Sequence, residues 1–218
     1  MYQPPHFKET RPEVLHGLIR THPLGLLISN GVDGPIANAI PFLLDADIAP
    51  NGRLRAHLAK ANPQWKLLAD TPASPVLIVF QGADAYVTPS WYETKRETGK
   101  VVPTWNYAIV QVRGTVRVIE EGKWIAQQIT ELTASQEGGR SAPWAVTDAP
   151  ATYIQSQIKG IVGLEITVTS IEGKWKVSQN RPVADRVGVA QGLQGEASNP
   201  AAPDMAGLVR AWGGLDGN

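Results

Sequence analysis

Apolar residues fall in short runs along this chain, some continuous and some alternating with polar ones, broken by Gly, Asn and Pro. That pattern predicts a mainly β protein with peripheral helices. The first element is the exception. Thr10 followed by Glu13 reads as a capping box with Pro12 in the first turn, and Val14, Leu15, Leu18 and Ile19 form one apolar stripe. His22-Pro23 ends that helix, because the residue before a proline is pushed out of helical space. Strands are then expected over 24–29 and 35–44, joined by the Asn30-Gly31-Val32-Asp33-Gly34 turn. Asn51-Gly52 marks a second hairpin, and 53–58 alternates polar and apolar as a half-buried strand does. Further strands fall over 76–80 and 85–88, and 105–119 is β-branched enough to form one long bent strand.

Helices interrupt the β pattern. Asn62-Pro63 supplies an N-cap and first helical residue ahead of Trp65, Leu67 and Leu68. A second helix is expected over 123–136, with Ile125, Ile129 and Leu132 on one face, and a short third over 152–159. Alternation returns over 164–169. Glu172-Gly173 then reads as a turn into 174–178. Several antiparallel hairpins in about a hundred residues point to a closed barrel. After Gln191 the composition shifts to Gly, Ala, Pro and Asn. The segment 193–218 is expected to be a loosely docked tail on a 1–192 domain, with 205–212 its one candidate helix.

Composition narrows the function classes. The 218 residues include no cysteine, which excludes disulfides and thiolate metal sites and fits a reducing cytoplasm. No apolar run approaches the roughly 20 residues of a membrane helix, and the start has no secretory leader. Lys plus Arg and Asp plus Glu both total 20, so the net charge is zero, which argues against direct DNA binding. His6, His16, His22 and His57 are scattered without ligand spacing, so no metal site is expected. Gly-x-Gly-x-x-Gly, Walker, Gly-x-Ser-x-Gly and His-Glu-x-x-His motifs are all missing from the sequence.

Three segments carry candidate chemistry. In His57-Leu58-Ala59-Lys60-Ala61-Asn62-Pro63-Gln64-Trp65 a strand ends at a lysine where a capped helix begins. Free N–H groups beside a full positive charge suit a phosphate monoester, although an ordinary cap with a solvated lysine has the same spelling. The aromatics of Ser90-Trp91-Tyr92 and Val102-Pro103-Thr104-Trp105-Asn106-Tyr107 suit either stacking on a flat ring or a Trp-rich core or dimer contact. Between them 95–100 reads as an exposed loop able to act as a lid. The third segment, Lys174 through Pro182, is a lysine-protected sheet edge or an anion-binding rim.

Together with Met1-Tyr2, Pro5-His6-Phe7, His22-Pro23-Leu24-Gly25, Tyr86 through Tyr92 and Ile161-Val162-Gly163-Leu164-Glu165, these segments resemble the PaiB-type FMN-binding family, described as negative transcriptional regulators. The resemblance covers residues 1–192 and extends to the wider pyridoxamine-phosphate-oxidase-like group. It implies an FMN-binding split β-barrel that dimerises, with FMN at the interface. It places Lys60, Asn62 and Gln64, with His57 leading in, at the phosphate. It lays the strand bearing Ala39, Ile40 and Pro41 along the ring. It has the partner subunit offer Trp105, Asn106 and Gln111, and brings Gln179 and Arg181 to the ring edge. A flavin-dependent sensor or regulator is the function so implied. A flavin-dependent oxidoreductase and a haem-binding split-barrel relative are the alternatives.

Overall fold

In a computed structural model, residues 1–48, 50–71 and 75–216 are described. The elements run β1 (Lys8–Glu9), α1 (Pro12–Thr21), β2 (Leu24–Gly31), β3 (Gly34–Pro41), β4 (Leu43–Asp45), β5 (Arg53–Ala59) and α2 (Gln64–Asp70). Then come β6 (Pro75–Val87), α3 (Glu93–Thr98), β7 (Thr104–Ile119), α4 (Gly122–Glu137), α5 (Ala151–Lys159), β8 (Ile161–Lys176), α6 (Val183–Gln194) and α7 (Ala202–Trp212). The strands form one 8-stranded sheet in the order β3-β2-β6-β7-β8-β5-β4, with β1 pairing on β8. Every register pair resolved between strands is antiparallel. The chain divides into two compact units. The first is Met1–Leu18 with Gln81–Val110 and Glu172–Asn218; the second is Ile19–Phe80 with Gln111–Ile171.

The second unit is built on the β2–β3 hairpin, β5 and the adjoining lengths of β6, β7 and β8. Leu27, Leu54, Ile78, Phe80, Leu164 and Ile166 fill its core. Gly25 is there for room: a Cβ at that position would lie 2.6 Å from the Phe80 ring. Helix α4 lies on β5 and β8 through Trp124, whose ring occupies the space that a Cβ on Gly163 would need. An ion-pair cluster fastens the same helix: Arg55, itself buried, contacts Asp45 at 2.6 Å and Glu131 at 2.5 Å.

The first unit pairs α6 with α7 and is closed by aromatics. Trp91 packs on the glycine face of α6, where a Cβ on Gly188 would meet its carbonyl oxygen at 2.0 Å and one on Gly192 its ring at 2.3 Å. Trp212 stacks on Trp175 at 5.9 Å, and Met205, Ala206 and Val209 are buried.

Several expectations need correction. The segments 76–80 and 85–88 are one strand, β6, because Gly82 marks close approach to Leu18 rather than a turn. Gly173 likewise makes no turn. It sits inside β8 opposite Glu9, where a Cβ would fall 2.1 Å from Leu15. The expected strand 35–44 breaks at Phe42, whose N–H donates to Pro23 O at 2.8 Å, giving β3 and β4. Helix α1 begins at Pro12 without the Thr10 capping box; the Glu9 carboxylate takes the Thr10 and Arg11 N–H groups instead. Residues 93–98 are helical, where a loop was expected over 95–100. The segment after Gln191 is docked: α6 reaches Gln194, and α7 covers the one helix the sequence suggested.

Candidate functional site

In the second unit β5 hands over to α2 through Lys60-Ala61-Asn62-Pro63. The turn is pinned from both sides. Lys60 N–H donates to Gly160 O at 2.8 Å, and Trp65 Nε1–H donates to Lys60 O at 3.0 Å. Asn62 Oδ1 accepts from Gln64 N at 3.0 Å, so the cap acts as expected although the helix begins at Gln64 rather than Pro63. The Lys60 side chain is 41% exposed and lies 3.5 Å from the still more exposed Glu120. A pair of that kind is worth under about 1 kcal/mol, so the ammonium can exchange it for a stronger anion. Asn62 Nδ2 donates to no group among the described residues. Because α2 has only 7 residues, its dipole adds little, and the positive character of the turn rests on Lys60.

Gln64 does a different job from the one expected of it. It is 0% exposed. Its Oε1 accepts from Asn38 Nδ2 at 2.9 Å, and its Nε2 donates to Ser29 Oγ at 3.0 Å. Both ends of the amide are spent fastening α2 to the β2–β3 hairpin, and none is left for a phosphate. His57 is half-buried, and its Nδ1 lies within hydrogen-bond distance of the Gln128 side-chain amide, at 2.9 Å from Oε1. On β3, Ala39 is exposed, Pro41 is half-buried and the Ile40 side chain turns into the core, so Ile40 can offer a ligand only its backbone. Gln111 is half-buried on β7.

One feature of this unit escaped the sequence reading. The pairs Leu24↔Pro41, Leu26↔Ala39 and Ile28↔Ala37 put six small or aliphatic side chains on the same face of the hairpin. Leu24 is 64% and Leu26 38% exposed, so this flat apolar face is open. The signal for it is the nearly continuous apolar run of 24–28, which leaves a strand apolar on both faces when only one can enter the core.

In the first unit Trp105 is exposed and meets Tyr86 edge-on at 6.0 Å. Beside it lies a shallow cavity of about 250 Å3 lined by Gln81, Asp84, Tyr107 and Ile109. Asn106 is buried, and its Nδ2 donates to Ser178 Oγ at 2.9 Å. Ser178 has φ 67, the left-handed region, which costs a non-glycine residue about 1 to 2 kcal/mol and is held here by its neighbours. Gln179 folds back on its own strand: Oε1 accepts from Val177 N at 2.9 Å and Nε2 donates to Trp175 O. Its amide is thus unavailable to a ring edge. The Arg181 guanidinium lies 4.8 Å over the Tyr92 ring. The expected residues therefore fall into two sets. Ala39, Ile40, Pro41, His57, Lys60, Asn62, Gln64 and Gln111 belong to the second unit, and Trp105, Asn106, Gln179 and Arg181 to the first.

The fold is the split β-barrel of flavin-binding proteins. Superposition on the FAD and heme binding protein from Mycobacterium smegmatis gives a TM-score of 0.56 at 19% identity, covering 78% of this chain and 73% of that one. The flavocytochrome Anf3 from Azotobacter vinelandii gives 0.56 at 13% identity, covering 78% and 69%. The family is defined by sequence. A family model described as "Putative FMN-binding domain" matches residues 1–170. The chain is 32% identical to the Bacillus subtilis protein named protease synthase and sporulation protein PAI 2, over 96% of each chain. It is 37% identical to the uncharacterized protein AN0679 of Emericella nidulans, over 94% of each. The chain belongs to this FMN-binding family.

Proposed function

We propose that the protein holds FMN at the interface of a homodimer and acts as a flavin-dependent sensor or regulator. The observation that carries this reading is the turn between β5 and α2, where Lys60 and the free Asn62 amide offer donors for the cofactor phosphate. The open apolar face of β2 and β3 supports a flat ring and a second subunit as its cover. When bound, the flavin supplies the redox chemistry, and the protein positions and tunes it. This chain's own part is then to neutralise the phosphate with Lys60 and to keep the turn rigid through Gly160 and Trp65.

The test is the visible spectrum of the purified protein followed by FMN titration. Lys60→Ala is expected to weaken FMN by about 1 to 3 kcal/mol, the scale of a charge-assisted hydrogen bond. Unchanged affinity would move the phosphate elsewhere. A Soret band on haem titration in place of a flavin spectrum would favour the kind of ligand named for the mycobacterial neighbour. The zero net charge argues that any effect on transcription passes through the flavin state rather than through a grip on DNA. A mobility shift at micromolar protein and moderate salt would refute that.

A second reading, a flavin-dependent oxidoreductase acting on a small molecule, is favoured by a cationic cavity in the first unit. Anaerobic reduction of the flavin by NADH or NADPH tests it.

A further inference from the structure

The first unit contains a cavity of about 160 Å3 whose polar lining comes chiefly from Tyr92, Asn106, Lys176, Ser178, Asn180 and Arg181. Two cations share it. The Lys176 ammonium donates to Thr104 Oγ1 and to Trp105 O, both uncharged, and a third N–H remains. The Arg181 guanidinium lies 4.8 Å from the centre of the Tyr92 ring and reaches toward its hydroxyl, with N–H groups to spare beyond that one contact. Neither cation forms an ion pair with a carboxylate among the described residues. The carboxylate nearest in effect, Asp185, is committed elsewhere: it accepts from Thr94 N and Thr94 Oγ1, each at 2.9 Å. Burial, with Lys174 and Arg181 adding repulsion, holds the Lys176 pKa below the usual lysine value.

The neutral groups point the same way. Tyr92 is 1% exposed, and its hydroxyl completes no hydrogen bond of ordinary geometry among the described residues, although Arg181 comes close enough to act on it. A buried donor in that state is costly unless a ligand takes it. Asn106 spends one N–H on Ser178 Oγ, and Ser178 Oγ–H donates back to Asn106 Oδ1 at 3.3 Å. That reciprocal bond fixes the left-handed Ser178 and leaves the second amide N–H of Asn106 unspent. A planar fork, an ammonium, a phenol and an amide are donors without a matching acceptor, which is the complement of an oxyanion. The cavity is smaller than the roughly 300 Å3 that whole drug-sized ligands need, so it fits a head group rather than a tricyclic ring.

We propose that this cavity binds the carboxylate or phosphate end of a small-molecule substrate or effector, with Arg181 as the bidentate fork and Lys176, Tyr92 and Asn106 as further donors. Arg181 is thereby assigned to that ligand rather than to the flavin ring edge. The proposal deepens the flavoprotein reading by naming the chemistry of a second ligand, yet its geometry uses none of the residues assigned to the FMN phosphate.

An oxyanion could come from a separate molecule or from the cofactor's own phosphate, and one experiment separates them. Inorganic phosphate and acetate are titrated calorimetrically into the full-length protein saturated with FMN, at constant ionic strength, with flavin absorbance recorded in parallel. Saturable binding of phosphate or acetate is expected. It should weaken at least tenfold in Arg181→Ala and several-fold in Tyr92→Phe, and should be unaltered in Lys100→Ala, which removes an exposed lysine outside the cavity. Arg181→Lys keeps the charge but not the fork, and an intermediate loss is expected even if the alanine variant fails to fold. Binding unchanged in Arg181→Lys and Tyr92→Phe would overturn the proposal. So would anion binding that occurs only without FMN and displaces it, which would give the cavity to the cofactor phosphate. A protein that takes up no FMN yet binds phosphate through Arg181 would sink the flavin reading and leave this one standing.

Discussion

At the scale of single residues, Glu9 shows how one carboxylate can organise a terminus. It is buried and accepts from Thr10 N, from Arg11 N and Nε at 2.9 to 3.0 Å, and from Trp212 Nε1 at 3.0 Å. Burial alone would raise its pKa, but Arg11 and Trp212 hold it at about 2. A carboxylate depressed in the folded state gives stability that is full above its unfolded value. That stability fades as pH falls below about 4.5 and is gone once the folded pKa near 2 is passed. The amount is on the order of 3 kcal/mol at neutral pH. Chemical denaturation at pH 7 and pH 3 should therefore show a smaller pH dependence in Glu9→Gln than in the native protein; parallel losses would contradict the assignment. The sequence could not announce this role. Thr10 and Glu13 spell a capping box, and only the arrival of Trp212 from the far end of the chain shows that Glu9 is the group that matters.

Among elements, what the sequence disclosed was period, and what it concealed was closeness. The polar–apolar alternation of 53–58 and the β-branching of 105–119 are local, and both segments are strands, although Arg55 on the polar face of β5 is buried. The breaks placed within β6 and β8 do not hold, because Gly82 and Gly173 look like turn residues but serve tight contacts with Leu18 and Leu15. Helix α6 went unread for the same reason, since two glycines weaken a helix on paper. The contact with Trp91 separates its glycines from that in α7. Gly188→Ala drives a Cβ against the Trp91 carbonyl, and a destabilisation of about 1 to 3 kcal/mol is expected. Gly207→Ala meets nothing within 4 Å and should stabilise the protein through helix propensity, by up to about 1 kcal/mol, and so raise the melting temperature. Thermal melts of the two variants moving in the same direction would refute the argument.

For the whole molecule, the open face of β2 and β3 bears on assembly. A second copy covering Leu24 and Leu26 predicts that Leu26→Asp, a change at a 38% exposed position, yields a folded monomer. Sedimentation of a monomeric native protein, or of an unaltered dimer in the variant, would refute that use of the face. The candidate site was legible where it is local. Lys60 and Asn62 sit within one turn, and spacing alone sufficed to single them out. Gln64 was misjudged because its partners Ser29 and Asn38 lie on another hairpin. One wall of the cationic cavity was legible, because Lys174 through Pro182 reads as an anion-binding rim; its junction with Tyr92 and Asn106 was not, because it joins distant stretches through a left-handed serine.

The division of the chain has a consequence in time. Every segment of the second unit has been synthesised by residue 171, whereas the first also needs Glu172–Asn218. At about 5 to 20 residues per second that last stretch takes roughly 2 to 10 seconds to make. Through that interval Leu15, made well before it, has yet to meet Gly173 and Trp175. The cationic cavity, whose Lys176 and Arg181 follow every segment of the second unit in the sequence, gains its full lining only after Lys60 and Gly160 have both been synthesised.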